Sequence, residues 1–215
     1  MVAKLFSGAC ERNRAPILEV VKKHLLPGRK AKVLEVAAGS GQHAAYLGRH
    51  LASDGRVERW YPTDLGMSEE KRASIAAWVE EEGEGEGAGV VAEAVELDTR
   101  GEGWAEEWAS RGITDMFVAN LTHISPFEAT KGLMAGAGKI LPPGGSIFVY
   151  GPFKVDHRHT SDSNAAFDQS LQSRDKAWGY RDVSEIRSQA DENGLEFVES
   201  ERMPANNFTL IFRRR

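Results

Sequence analysis

Along the chain, short apolar runs rich in β-branched residues alternate with longer amphipathic segments. Alternation of this kind is the mark of βαβ units, so a mostly parallel sheet with helices on both faces is expected. Strands are predicted at Lys32–Ala37, Val57–Pro62, Val90–Leu97, Thr114–Asn120 and Ser146–Tyr150. Helices are predicted between them at Gly41–Ala52, Ser68–Glu82, Gly103–Arg111 and Pro126–Leu141. The last of these is stopped by Pro142-Pro143-Gly144-Gly145, because proline cannot continue a helix and glycine tolerates the reversal.

Past Tyr150 the alternation breaks. Residues Gly151–Arg181 have no steady period and are dense in polar groups and aromatics, which predicts a lid-like insertion after the fifth strand. A helix at Val183–Asn193, ended by Gly194, restores the pattern. Two strands follow, Leu195–Met203 and Phe208–Arg213, joined by Pro204-Ala205-Asn206-Asn207. A connection that short suits an antiparallel hairpin closing an otherwise parallel, seven-stranded sheet. With residues 1–30 as an N-terminal cap helix, residues 1–215 are expected to form one domain. The tract Glu80–Gly89 cannot bury a core and reads as a flexible loop.

Composition narrows the function classes. Of 215 residues, 41% are hydrophobic and 27% charged, ordinary for a soluble globular protein. A formal net charge of −5 offers no footprint for nucleic acid or an anionic membrane, and Arg213-Arg214-Arg215 reads as a solvated chain end. Cys10 is the single cysteine, so no internal disulfide or thiolate metal cluster can form. No signal-like run opens the sequence and no stretch of about eighteen apolar residues occurs, so a cytoplasmic location is expected. His157-Arg158-His159 lacks paired ligands at regular spacing and reads as a loop, with no metal expected.

The chemistry begins at Val33–Ala44, VLEVAAGSGQHA, where a buried strand runs through a glycine turn into a helix. Gly39-x-Gly41-x-x-Ala44 formally fits a dinucleotide fingerprint. Glu35 argues against it, because a carboxylate near the strand end repels the pyrophosphate that such a turn holds at the helix N-terminus. S-adenosylmethionine carries an ammonium and a sulfonium instead, and an acid beside the turn favours it. Asp64, at the end of the second strand and roughly twenty residues on, is placed to accept ribose hydroxyls, as in either cofactor class. Asp98 and Thr99 end the third strand. Asn120-Leu121-Thr122-His123 ends the fourth, beside the crevice where open α/β sheets bind ligands. No Tyr-x-x-x-Lys pair of the short-chain oxidoreductases stands on a helix: Tyr150 and Lys154 are separated by a proline.

Val33-Leu34-Glu35 with Gly39-Ser40-Gly41 resembles the first motif of class I S-adenosylmethionine-dependent methyltransferases, Ala37 standing where a first glycine is usual. The segments Glu11–Leu18, Gln42-His43, Asn120–Pro126 (NLTHISP), Tyr150–Phe153 (YGPF), Thr160–Leu171, Trp178–Asp182 (WGYRD) and Met203–Asn207 (MPANN) together resemble a methyltransferase-like family long labelled as of unknown function. The resemblance covers nearly the whole chain. It implies a Rossmann-like methyltransferase fold, S-adenosyl-L-methionine as cofactor and S-adenosyl-L-homocysteine as product. It implies cofactor contacts at Arg12, Asn13, Glu35, Ala37, Gly39, Ser40, Gly41, His43, Asp64, Leu65, Asp98, Thr99, Asn120, Leu121 and His123.

Methyl transfer is an in-line displacement that needs alignment, exclusion of water and, for a protonated acceptor, a base. His123 is the candidate base; the other role open to it is packing in the fold or on the cofactor. Tyr150 is a second catalytic candidate through its hydroxyl, the alternative being that it only packs its ring. Asn164, Asp168 and Arg181 in the insertion are candidates for binding the acceptor, with Asp168 and Arg181 alternatively pairing to hold the lid. Asn206 and Asn207 are candidates for a polar wall, and Arg12 and Asn13 precede a helix, Asn13 having an N-cap role as its alternative. The expected function is a methyltransferase acting on a small molecule, with no nucleic acid or membrane partner; a cofactor-binding scaffold without transfer is the alternative. The acceptor and the oligomeric state are left open by the sequence.

Overall fold

A computed structural model describes residues 4–82, 87 and 89–215. The elements run α1 (Gly8–His24), β1 (Ala31–Val36), α2 (Gln42–Ser53), β2 (Val57–Asp64), α3 (Glu69–Glu82), β3 (Val95–Glu96), α4 (Trp104–Ala109), β4 (Asp115–Ala119), α5 (Phe127–Ile140), β5 (Ser146–Gly151), α6 (Asp162–Arg174), α7 (Val183–Glu192), β6 (Leu195–Met203) and β7 (Asn207–Arg214). Seven strands form one sheet in the order β3-β2-β1-β4-β5-β7-β6. It is parallel throughout except at β7, which runs antiparallel to both β5 and β6.

Strand alternation sorts the core into two layers. Leu34, Val36, Met116, Val118, Ile147 and Val149 face α4, α5 and α7, where Trp108, Leu133, Met134 and Ile186 meet them. Val33, Phe117, Phe148 and Ile211 face α1 and α2, against Ile17, Leu18, Val21, Leu47 and Leu51. Glu35 alternates onto this second face. It is 1% exposed, and one carboxylate oxygen accepts the Trp60 indole N–H at 2.6 Å. Burial, with the nearby Asp64 charge, raises its pKa to about 8 against the opposing Trp60 hydrogen bond. His43 and His123, both sealed in, are held neutral: burial lowers each to about 4, helped by Arg14 and Arg181 respectively.

The β1–α2 connection turns through left-handed residues Ala37 (φ 62°), Gly39 (φ 56°) and Gly41 (φ 89°). A Cβ on Gly41 would stand 2.7 Å from the Ile75 Cα, so only glycine lets α3 pack there. Gly39 meets nothing within 4 Å and needs glycine for its φ alone.

Several expectations require correction. Of Val90–Leu97, only Val95–Glu96 joins the sheet; Val91 bridges Trp60 singly, and the Arg72 guanidinium takes the Ala94 carbonyl. The insertion contains α6, whose inward positions are Asn164, Asp168 and Leu171; two of the three are polar, which erases the apolar period. Arg12 and Asn13 lie inside α1 rather than before it, because Ser7 caps the helix by accepting the Cys10 N–H. Asn13 is therefore not an N-cap. The terminal arginines are not merely solvated: Arg213 bonds the His24 carbonyl and Arg214 the Gly194 carbonyl, while Arg215 pairs with Asp191. Of the Glu80–Gly89 tract, Glu80–Glu82 end α3, and residues 83–86 and 88 lie outside the described residues. Among the described residues, no helix is long and apolar enough to cross a membrane.

Two stability measurements test this packing. Ala37→Gly relieves left-handed strain of about 1–2 kcal/mol against an unfolded-state cost of about 0.4–1 kcal/mol, so urea unfolding should show a gain of up to about 1 kcal/mol; Gly41→Ala should lose about 3 kcal/mol. The pH profile follows from the three buried groups. Neutral His43 and His123 lose stability as pH falls from 6.5 toward about 4, because the unfolded chain then binds the extra protons. Protonated Glu35 loses stability as pH rises from 4.5 toward about 8, because the unfolded chain ionises first. Thermal melts should therefore peak near pH 6.5 and decline toward pH 8, and in Glu35→Gln the alkaline decline should be absent.

Candidate functional site

At the C-terminal ends of β1, β2 and β4 the sheet opens into a cleft of two joined lobes. The larger, about 570 Å³, is lined by Ser7 and Cys10 of the N-terminal segment, Ala37, Ala38, Gly39, Ser40 and His43 of the glycine turn, Lys71, Ala119 and Asn120. The smaller, about 190 Å³, is lined by Leu97, Asp98, Thr99, Arg100, Pro126, Ala129 and Trp178. Ala37, Asp64, Leu65, Leu121, Ile124 and Ser125 border both and form the waist.

Asp64 stands at that waist because β2 ends beside the glycine turn. Its Oδ2 accepts the Gly39 N–H at 2.9 Å and lies 3.3 Å from the Lys71 ammonium. Asn120 turns the chain out of β4 in a left-handed conformation (φ 61°), its N–H donating to the Tyr150 carbonyl. In the small lobe, Asp98 is clamped by both ends of the Arg100 guanidinium, which holds its carboxyl below the usual range. Thr99 is buried and donates to the Ala129 carbonyl at 2.9 Å. An elongated ligand with hydroxyls at its middle matches this arrangement of carboxylate and apolar walls.

Behind the larger lobe lies a chain of buried polar groups. His43 Nε2 meets Asn13 Oδ1 at 2.7 Å, so the ring N–H is assigned to Nε2 and Nδ1 keeps its lone pair, 3.8 Å from Cys10 Sγ. Burial raises the Cys10 thiol pKa. The Tyr150 hydroxyl accepts from Asn207 Nδ2 at 3.0 Å; burial raises its pKa against the hydrogen bonds of Asn13 and Asn207. Gln42 Oε1 accepts the Ser7 N–H and the Ser40 hydroxyl, while its buried Nε2 has no partner among the described residues.

The structure divides the expected site residues. Ala37, Gly39, Ser40, His43, Asp64, Leu65, Asp98, Thr99, Asn120 and Leu121 line the cleft. Glu35 sits behind it on Trp60, and Asn13, Tyr150 and Asn207 support its wall. Gly41 packs on α3, and Arg12 is exposed on α1. His123 lines neither lobe. Its ring packs edge-on against Phe167 and Tyr180, and its Nδ1 faces Gly151 without a partner among the described residues. Asp168 and Arg181 do not pair. Asp168 binds His159 Nε2, Lys154 Nζ, Gln172 Nε2 and the Tyr180 N–H, contacts that hold its carboxyl below the usual range despite burial. Arg181 instead donates to the carbonyls of Thr122, Ser125 and Ala177. Asn164 Nδ2 donates to the Asn206 backbone carbonyl, tying the lid to the last turn, and the Asn206 side chain donates to the Ser161 hydroxyl.

Trp178, Lys71, Ile124 and Ser7 line the cleft without having been expected there. Trp178 belongs to WGYRD, a segment already distinctive in the sequence, but nothing local ties it to the third strand's end. Among the described residues, His24, Glu199 and Glu201 are the one group arranged to offer three metal-ligand atoms, and Lys23 already bridges the two carboxylates.

Solved structures share this fold. An O-methyltransferase family protein from Burkholderia thailandensis is 19% identical, with a TM-score of 0.71 over 93% of this chain and 55% of its own. An O-methyltransferase family 2 protein from Planctomyces limnophilus, solved with apigenin, is 16% identical, with a TM-score of 0.76 over 97% of this chain and 59% of its own. PigF, solved with SAH, is 11% identical at a TM-score of 0.65, covering 93% of this chain and 55% of its own. This chain thus spans a little over half the length of each. The mixed sheet with its closing hairpin is the Rossmann-like methyltransferase fold of these neighbours. Residues 4–214 match the model of a family described as "Protein of unknown function (DUF938)", and the chain belongs to that family.

Proposed function

We propose that this protein binds S-adenosylmethionine and transfers its methyl group to a small-molecule acceptor, releasing S-adenosylhomocysteine. The observation that carries the reading is Asp64 at the waist of the two-lobed cleft. Its Oδ2 is engaged, and among the described residues no donor occupies Oδ1, which is free for the hydroxyls of a ribose. The Gly39 N–H, which a pyrophosphate would need, is already given to that carboxylate, and this supports a cofactor without phosphate. Gly39 also leaves open space where a side chain would project. The residues therefore fit a nucleoside with an amino-acid tail, the nucleoside base toward Asp98 and Thr99 and the tail toward Ser7, Ser40 and His43.

Bound there, the cofactor supplies a methyl group on a sulfonium. The chain's contribution is alignment and exclusion of water. Leu65, Leu121 and Ile124 give the waist its apolar lining, and Ala119 adds to that of the larger lobe. His43 remains a neutral acceptor oriented by Asn13, while Tyr150, bonded to Asn13 and to Asn207, joins α1 to the sheet. His123 acts in this reading as a packing residue beneath α6, in keeping with its place outside both lobes. That same place favours a second reading, a binding protein without transfer, since the cleft then lacks the base expected in the sequence. A small, already nucleophilic acceptor needs none.

Calorimetry distinguishes the outcomes. Asp64→Ala should weaken S-adenosylmethionine and S-adenosylhomocysteine by about 10- to 100-fold, the loss of one or two charge-assisted hydrogen bonds, while NAD should not bind wild type. An unchanged affinity would remove Asp64 from the site. His123→Ala should leave S-adenosylhomocysteine affinity within about threefold and lower stability by about 2 kcal/mol; equal loss of affinity would return His123 to the cofactor.

A further inference from the structure

The insertion after β5 reaches the cleft at one point. Among the described residues, Trp178, in the α6–α7 connection, is the single side chain from beyond α5 that lines either lobe. It is half-buried and lines the small lobe together with Leu97, Asp98, Thr99 and Pro126. The Arg174 guanidinium lies 5.1 Å from its ring centroid.

The backbone on either side of Trp178 is pinned. Gly179 has φ 139°, and a Cβ there would stand 2.9 Å from Asp168 Oδ1, so only glycine lets the turn close on α6. The Tyr180 N–H donates to the same Asp168 oxygen at 2.8 Å, and the Gly179 N–H donates to the His123 carbonyl at 3.0 Å. Arg181 then holds the β4–α5 loop by the Thr122 and Ser125 carbonyls, at 3.1 and 2.9 Å. That loop supplies Leu121, Ile124 and Ser125 to the cleft. One short segment thus brings an aromatic ring to the small lobe and clamps the loop that supplies Leu121, Ile124 and Ser125 to the same lining.

We infer that Trp178 is the aromatic cover for a purine base in the small lobe and that Arg181 is the positioning residue that sets its distance from that loop. The inference rests on the cofactor reading above and adds to it the base-recognition surface. A lobe of about 190 Å³ with apolar walls and an indole suits a flat ring, and stacking on an aromatic side chain contributes without demanding a fixed hydrogen-bond pattern. Asp98 and Thr99 at its edge then supply the polar contacts.

The test is calorimetry and tryptophan emission on the full chain, with S-adenosylhomocysteine and adenosine as probes. Trp178→Ala should weaken both by the same factor, about tenfold, because the lost contact is to the part they share. Trp178→Phe should keep both affinities within about threefold and lose most of the ligand-induced change in emission. Arg181→Gln should weaken adenosine about threefold in the wild-type background and cost nothing further in the Trp178→Ala background, which a purely structural arginine would not do. Undiminished emission change in Trp178→Phe, or wild-type affinity in Trp178→Ala, would overturn the inference while leaving the cofactor reading intact. Failure of the wild-type protein to bind either probe would bring down the cofactor reading itself, and this inference with it. Should Trp178→Ala not fold, Trp178→Phe decides alone.

Discussion

The hydrogen bond from the Gly39 N–H to Asp64 holds together the end of the sheet where the cleft opens. It ties the turn after β1 to the last residue of β2, and the Ala38 N–H makes a second tie to the Thr63 carbonyl. Gly41, two residues on, brings α2 against Ile75 of α3 with no room for a side chain. Two strands and two helices therefore meet within five residues. Between β1 and β4 the strand order reverses direction, and at such a point neighbouring connections diverge and leave a crevice. The larger lobe of the cleft occupies it.

Polar groups sunk behind the crevice have a cost and a use. Glu35, Asn13 and Tyr150 behind the crevice, and His43 on its wall, are removed from water among apolar neighbours, with Asn207 half-buried beside them, and each buried group must find a partner inside. Most do: Trp60 for Glu35, Asn13 for His43, Asn207 for Tyr150. The result joins α1, the sheet and the last hairpin through directional bonds where apolar packing alone would permit sliding. Burial also holds Glu35 and His43 in their uncharged forms, so the wall of the larger lobe owes its charge to Asp64 and Lys71.

The insertion is organised around a different carboxylate. Asp168 gathers a histidine, a lysine, a glutamine and a backbone N–H, and so fastens α6 to both flanking segments. With Asp168 engaged there, Arg181 is left to bond backbone carbonyls of the β4–α5 loop. His123, the most suggestive residue of that loop in the sequence, is thereby enclosed beneath Phe167 and Tyr180.

Much of this is legible in the amino-acid sequence alone. The order of strands and helices, the closing hairpin and the glycine turn follow from alternation and from steric rules that act between residues close in the chain. Asp64, Asp98 and Asn120 could be placed because strand ends in a parallel sheet lie on one edge. Other features depended on residues far apart in sequence. Helix α6 carries polar groups on its inner face, and their partners come from Lys154, His159 and Tyr180, so no period announces it. Glu35 was expected beside the ligand, but the register that pairs Val33 with Trp60 and Glu35 with Pro62 brings the indole onto its face of the sheet. Trp178 reaches the end of β3 only because Asp168 and Arg181 fold the insertion back. The sequence by itself determined the elements, their order and the edge of the sheet at which the cleft opens, since those obey local geometry. Only the tertiary structure decided which side chains stand in the cleft and which stand behind it, because that depends on what a distant segment packs against.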